Sequence, residues 1–138
     1  MSRESTNTDV LRRFVAAFND RDPEAYDALV ATDVVDHHLP PGLPAGREGV
    51  RTFVSGLWET FDARITVDEM VASGDLIACR WTFAGTHIGE FAGIAGSGRS
   101  FSIPIMTFDR FVDGRIAERW EAFDSAELLR QLSPVPVA

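Results

Sequence analysis

Arg99-Ser-Phe-Ser-Ile-Pro-Ile-Met-Thr-Phe-Asp-Arg-Phe-Val112 runs into Asp113-Gly114 and then Arg115-Ile-Ala-Glu-Arg-Trp-Glu-Ala-Phe123. Asp-Gly between two apolar-rich runs is the strongest short hairpin signal, because a tight turn of the favoured hand needs positive φ at both central residues. The stretch therefore predicts a long strand, Arg99 to Val112, returned antiparallel by Arg115 to Phe123. The long strand is apolar on both faces, with Phe101, Ile103 and Ile105 on one and Met106, Phe108 and Val112 on the other. Strands covered on both sides read this way. One face then belongs to the core and the other to a second copy of the chain, so a homodimer is expected.

Working outward, Arg64 to Ala72 and Leu76 to His87 alternate as two more strands around the turn Ser73-Gly74-Asp75, and a Gly-rich connection, Gly89 to Gly98, leads into the long strand. The N-terminal half has helical period instead. Val10, Phe14, Ala17 and Phe18 mark a helix over Asp9 to Asn19 with Thr8 as its cap, and Asp22-Pro23-Glu24 opens a second helix through Leu29. Asp33 to Leu39 reads as a short strand stopped by Pro40-Pro41-Gly42. Val50, Phe53, Val54, Leu57 and Phe61 line one face of a third helix, Gly46 to Phe61. Ser125 to Leu132 closes as a helix before a frayed tail at Pro134 to Ala138. The expectation is one α+β domain over residues 1–138. Helices at about 8–61 and 125–132 pack on a strongly curved antiparallel sheet at about 64–123, a cone with an apolar pocket inside.

Composition narrows the function. A net charge of −8 leaves no basic stripe for nucleic acid. No apolar run approaches the roughly 20 residues a membrane span needs, and the N-terminus is polar. The single Cys79 allows no internal disulfide and suits a reducing cytoplasm; its apolar strand makes it a buried structural thiol.

Asp124 is the first candidate for chemistry. In Ile116-Ala-Glu-Arg-Trp-Glu-Ala-Phe-Asp124, strict alternation puts Ile116, Trp120, Ala122 and Asp124 inward and Arg115, Arg119 and Glu121 in solvent. An inward carboxylate has a raised pKa and can act as acid or base near neutral pH. Asp124 and Glu127 also fit a capping box for the last helix, and spacing alone leaves both readings open.

Asp36-His37-His38 holds the only His pair. Consecutive strand residues face opposite ways, so all three cannot converge on a metal, and no metal site is expected. If Val35 faces inward, so does His37, which could orient a substrate carbonyl or pair with Asp124. The competing reading is a solvated pair at a strand end. His87 shares the phase of Cys79, Trp81 and Phe83 and reads first as a structural histidine bonding the loop backbone. Arg80, on the other phase, reads as an ion-pair partner of a neighbouring strand. Trp58 and Phe61 fit the core, at a place where aromatics also stack on flat ligands. Gly93-Ile-Ala-Gly-Ser-Gly98 lacks the Lys and following helix of a phosphate loop, and Ser97, Ser100 and Ser102 sit in no nucleophile-elbow pattern.

Gly85-Thr-His-Ile-Gly-Glu-Phe-Ala-Gly93, Gly98-Arg99, Phe111-Val-Asp-Gly-Arg-Ile-Ala-Glu-Arg-Trp120, Asp124 and Leu129-Arg-Gln-Leu132 together resemble the SnoaL-like polyketide cyclases. That family belongs to the cone-shaped superfamily of nuclear-transport-factor-like proteins and ketosteroid isomerase. The resemblance implies a cofactor-free ring closure, in which a carboxylate removes a proton alpha to a polyketide carbonyl and the enolate attacks a second carbonyl. It also implies that Asp124 is the acid/base, with capping as a second duty. A Gln and a His of those cyclases match Ile105 and Thr107 here, and an Asn matches Asp36, making this pocket drier on one wall and more acidic on another. The expected site is thus Asp124 for catalysis. Asp36, His37, His38, Trp58, His87, Ile105, Met106, Thr107 and Trp120 are expected around an apolar substrate, with Phe18 in the wall. Cofactor-free hydroxylation, isomerisation, epoxide opening and simple ligand binding are the alternatives on the same fold.

Overall fold

The computed structural model describes residues 2–133, and the expected tail at 134–138 lies outside them. Helix α1 (Arg3–Asn19) starts earlier than its apolar repeat indicates. Ser2 Oγ accepts the Ser5 N–H at 3.0 Å and caps it, in place of Thr8. Its first turn is polar and mostly solvent-facing, so hydrophobic spacing carries no signal there. Helix α2 (Pro23–Ala28) has Pro at its first position and the Asp22 carboxylate accepting the Ala25 N–H at 3.1 Å. Strand β1 (Val30–Asp36) precedes α3 (Arg47–Thr60), and four strands follow: β2 (Phe61–Ser73), β3 (Leu76–His87), β4 (Ser100–Val112) and β5 (Arg115–Phe123), then α4 (Ser125–Leu132). Strand β1 comes three residues earlier than its sequence pattern suggests, because Val30 is its buried anchor and the chain leaves the sheet after Asp36. Asp113 and Gly114 have φ of 52° and 73°, the two positive values the tight hairpin requires.

The sheet order is β1-β5-β4-β3-β2. Strands β2 to β5 form an antiparallel meander, and β1 joins β5 in parallel, so the sheet is mixed. The parallel pair reflects the long excursion through α3 and three strands between β1 and β5. The inner face carries Ile77, Trp81 and Phe83 of β3 and Phe101, Ile103 and Phe111 of β4. Phe14 and Phe18 of α1 and Val50 and Val54 of α3 close over it. On the outer face Met106, Phe108 and Val112 are each more than half exposed. Cys79 is buried, which together with the charge of Asp109 pushes its thiol up to about 12 and keeps it unreactive. Arg80 lies within ion-pair range of Asp68 and Glu69 on the adjoining β2. Among the described residues no helix is long and apolar enough to cross a membrane.

One irregularity decides where the site lies. Across the β4–β5 ladder, Phe111 faces Ile116 and Arg110 faces Glu118, so one step on β4 matches two on β5 and Ala117 is the extra residue. A bulge of this kind inverts the face of everything beyond it. Ile116 points inward as expected, but past Ala117 the inward residues are Arg119, Glu121 and Phe123. Trp120 and Ala122 fall on the outer face opposite Phe108 and Met106. Strict alternation had the phase reversed from Arg119 on.

Candidate active site

Between the helices and the inner face lies a cavity of about 380 Å³. Phe14, Phe18, Phe53, Phe83, Ile103 and Ile105 contribute to its apolar walls. Strands β1 and β5 lie side by side, and their inward residues supply its polar end: Asp36 and His38 from the end of β1, Arg119 and Glu121 from β5, with Tyr26 of α2 beside them.

His38 is held between two carboxylates. Its Nδ1 faces Asp36 Oδ1 in a very short contact, and its Nε2 faces Glu121 Oε2 at 2.8 Å. The Asp36 oxygen also accepts the His38 backbone N–H at 3.2 Å, and the Phe53 ring meets the imidazole edge-on at 5.3 Å. An imidazole can donate from both nitrogens only as the cation. Burial alone would lower its pKa, but the hydrogen bonds to Asp36 and Glu121 outweigh burial and hold His38 up at about 9. Asp36, with its side chain only 1% exposed, is correspondingly low: burial raises it, and His38 and the charge of Arg119 pull it further down.

Behind this trio is a second buried pair. Arg119 Nε donates to Asp109 Oδ1 at 2.5 Å, and its guanidinium lies 4.8 Å above the Phe14 ring. Burial would lower the Arg119 pKa, but Asp109 and the neighbouring anions keep it above its usual value. Burial raises Asp109 against the pull of Arg119, and its Oδ2 has no partner among the described residues. The Tyr26 phenol is also raised by burial, so it stays protonated. The arrangement offers a carboxylate and an imidazolium sharing a proton, backed by cationic and phenolic donors, inside an apolar chamber. Such a site can move a proton to and from carbon or oxygen.

The expected site residues divide between the two faces. Asp36 and His38 line the cavity, as does Ile105. His37 faces outward with Val35, which is half exposed; it stacks on Trp120 at 5.1 Å and pairs with Glu118 at 2.7 Å. Met106 and Trp120 are on that outer face too, opposite to the expected placement. Thr107 is buried behind the wall, accepting the Trp81 indole N–H at 2.6 Å. The Trp58 indole N–H donates to the Phe18 carbonyl at 3.0 Å, and the ring packs on Phe18 and Tyr26 as core. His87 is fully buried, with its Nδ1 accepting the Ser97 N–H at 3.3 Å and 2.9 Å from Ser97 Oγ, the loop-bonding role expected of a structural histidine. Asp124 is exposed. Its Oδ1 accepts the Glu127 N–H at 3.0 Å as the cap of α4, and it stands outside the cavity lining because the bulge turned its strand over.

Glu121, Arg119 and Tyr26, with Asp109 buried behind Arg119, are the site residues that sequence reasoning missed. A signal existed for the Asp109–Arg119 pair. Asp109 falls at the inward phase of Phe101, Ile103, Ile105 and Phe111, and a buried carboxylate needs a cation opposite. An unbulged hairpin would set it against Glu118; only one extra residue in β5 brings Arg119 there.

Comparison with known proteins agrees with this architecture. No curated protein matches the chain. Among solved structures, TsrD from Streptomyces laurentii is 30% identical over 98% of this chain and 99% of its own, with a TM-score of 0.88. IdmH from Streptomyces antibioticus, described as a candidate polyketide cyclase, is 36% identical over 91% and 97% with a TM-score of 0.80. AclR from Streptomyces galilaeus, described as a candidate hydroxylase, is 26% identical over 98% and 85% with a TM-score of 0.83. The sequence pattern of the SnoaL-like polyketide cyclases matches residues 8–132, nearly the whole chain, and the protein belongs to that family.

Proposed function

We propose that this protein is a cofactor-independent enzyme that closes a ring in a polyketide-like carbonyl compound by an aldol-type step, with Glu121 as the acid/base group. The observation that carries the reading is His38 held between Asp36 and Glu121 at the polar end of an otherwise apolar cavity. Glu121 takes the proton alpha to a substrate carbonyl. His38, oriented by Asp36, holds the carboxylate in place and redistributes the proton when the new alkoxide needs it. The aromatic walls hold the carbon skeleton and exclude water. Asp124 keeps the structural duty of capping α4.

Deuterium incorporation alpha to the carbonyl of aromatic β-keto esters in heavy water tests this without knowledge of the final product. Wild type and Asp124→Asn should exchange alike, and Glu121→Gln should be slower by roughly 10²- to 10⁴-fold. Exchange that survives in Glu121→Gln and disappears in Asp124→Asn returns the role to Asp124 and sinks the present assignment.

The likeness to a candidate hydroxylase favours one second reading, in which the same carbanion reacts with dioxygen instead of a second carbonyl. Oxygen uptake during turnover separates the two. We further propose a cytoplasmic homodimer whose interface is the outer sheet face around Met106, Phe108 and Trp120.

A further inference from the structure

We infer that Arg119 and Tyr26 form an oxyanion-binding pair that receives the substrate carbonyl oxygen while Glu121 takes the neighbouring proton. The inference rests on the acid/base reading of the same cavity and names the electrophilic half of that site.

Arg119 is 7% exposed and lines the cavity. Its Nε–H is spent on Asp109, and among the described residues no side chain accepts from its two Nη groups. A buried guanidinium with unspent donors is costly unless something else receives them. Tyr26, 3% exposed, lines the same cavity with its ring against Phe14 at a centroid distance of 4.3 Å. Its hydroxyl feels the charges of Arg119, Asp36 and Glu121, and burial keeps it protonated, hence a donor. Both donor-bearing residues thus border a chamber with few polar groups of its own.

The spacing suits the reaction. Arg119 and Glu121 are two residues apart on one face of β5, about 7 Å along the strand. An enolising unit fits between them, with its α-carbon toward Glu121 and its oxygen toward Arg119. The α C–H bond breaks and its proton passes to the Glu121 carboxylate. Its electron pair becomes the C=C bond, and the carbonyl π pair moves onto oxygen, where Arg119 N–H and Tyr26 O–H groups donate to it. When the enolate carbon bonds to the second carbonyl, the pair returns and that carbonyl's oxygen takes the proton back from Glu121. Net charge at the polar end stays constant throughout, because Glu121 becomes neutral as the oxyanion appears. That balance removes the objection that Asp36 and Glu121 would repel an anion.

A series of 2-naphthols of graded acidity serves as the probe, since naphthol and naphtholate have distinct absorption and fluorescence. Wild type should bind them ionised below their solution pKa, more tightly as acidity rises. Tyr26→Phe, which keeps the ring packing, should weaken ionised binding by about 10- to 100-fold. The double variant Asp109→Asn/Arg119→Gln, which removes both members of the buried pair together, should bind only the neutral form, with folding checked by circular dichroism. Wild type that binds neutral naphthols with no dependence on acidity, or binds none, overturns the proposal. So does a folded double variant that still ionises the probe. Glu121→Gln should retain naphtholate binding while losing isotope exchange, so failure of the acid/base assignment and failure of the oxyanion pair give different results.

Discussion

His38 holds a charge that ordinary histidines lose at neutral pH, and the consequence is a pH-dependent stability. Its folded pKa is raised, from 6.5 to about 9, so its contribution is fully present below about pH 6.5 and is lost as pH rises through about 9. The size is on the order of 3 kcal/mol at most. Urea midpoints should therefore fall between pH 6 and pH 10, and His38→Gln should flatten that part of the profile. A variant with the same decline would assign the pH dependence to another group. At this scale the sequence was partly legible. Asp36 and His38 announce themselves as unusual residues beside Pro40-Pro41. Glu121 does not, because a Glu between Trp120 and Ala122 looks like any solvated strand position. Asp124 looked more promising than Glu121 for the same reason that it makes a good cap: it stands at the end of a strand, three residues before an acidic residue.

Element boundaries and partners were read well wherever a local signal existed. The Asp113-Gly114 hairpin, the α3 stripe and the proline-led α2 all form where turn chemistry and periodicity place them. The bulge at Ala117 was not legible by alternation, since a count of two per repeat has no means of registering an extra residue. It was legible in principle through charge: Asp109 inside an apolar strand demands an arginine opposite. The buried pair that results should be strongly coupled. Asp109→Asn leaves the Arg119 charge without its partner and should cost about 3–5 kcal/mol in urea unfolding. The double variant Asp109→Leu/Arg119→Met should recover most of that, and a cycle showing simple additivity would mean the two side chains do not depend on each other. The parallel β1–β5 pair escaped the sequence for a different reason. Nothing local says which distant strand an edge strand will join, yet that pairing is what brings Asp36 and His38 beside Glu121.

At the scale of the whole molecule, the cone and its apolar interior follow from helices preceding a meander, and the resemblance read from the sequence extends over nearly the entire chain. The outer sheet face remains apolar, with Met106 57%, Phe108 55% and Val112 53% exposed. Phe108→Glu should convert the proposed dimer to monomer in sedimentation velocity; a wild-type chain that sediments as a monomer at micromolar concentration would count against the interface. Strand β5 belongs to both sides of this arrangement. Arg119 and Glu121 look into the cavity while Trp120 and Ala122, the residues that alternate with them, look out toward the proposed partner. In the proposed dimer the backbone that carries the proposed reacting groups would be clamped by the neighbouring subunit, and mass action would enter the kinetics. Specific activity per chain should fall as the enzyme is diluted through its dissociation range, so that a cell making too little of this protein would lose more than its share of turnover.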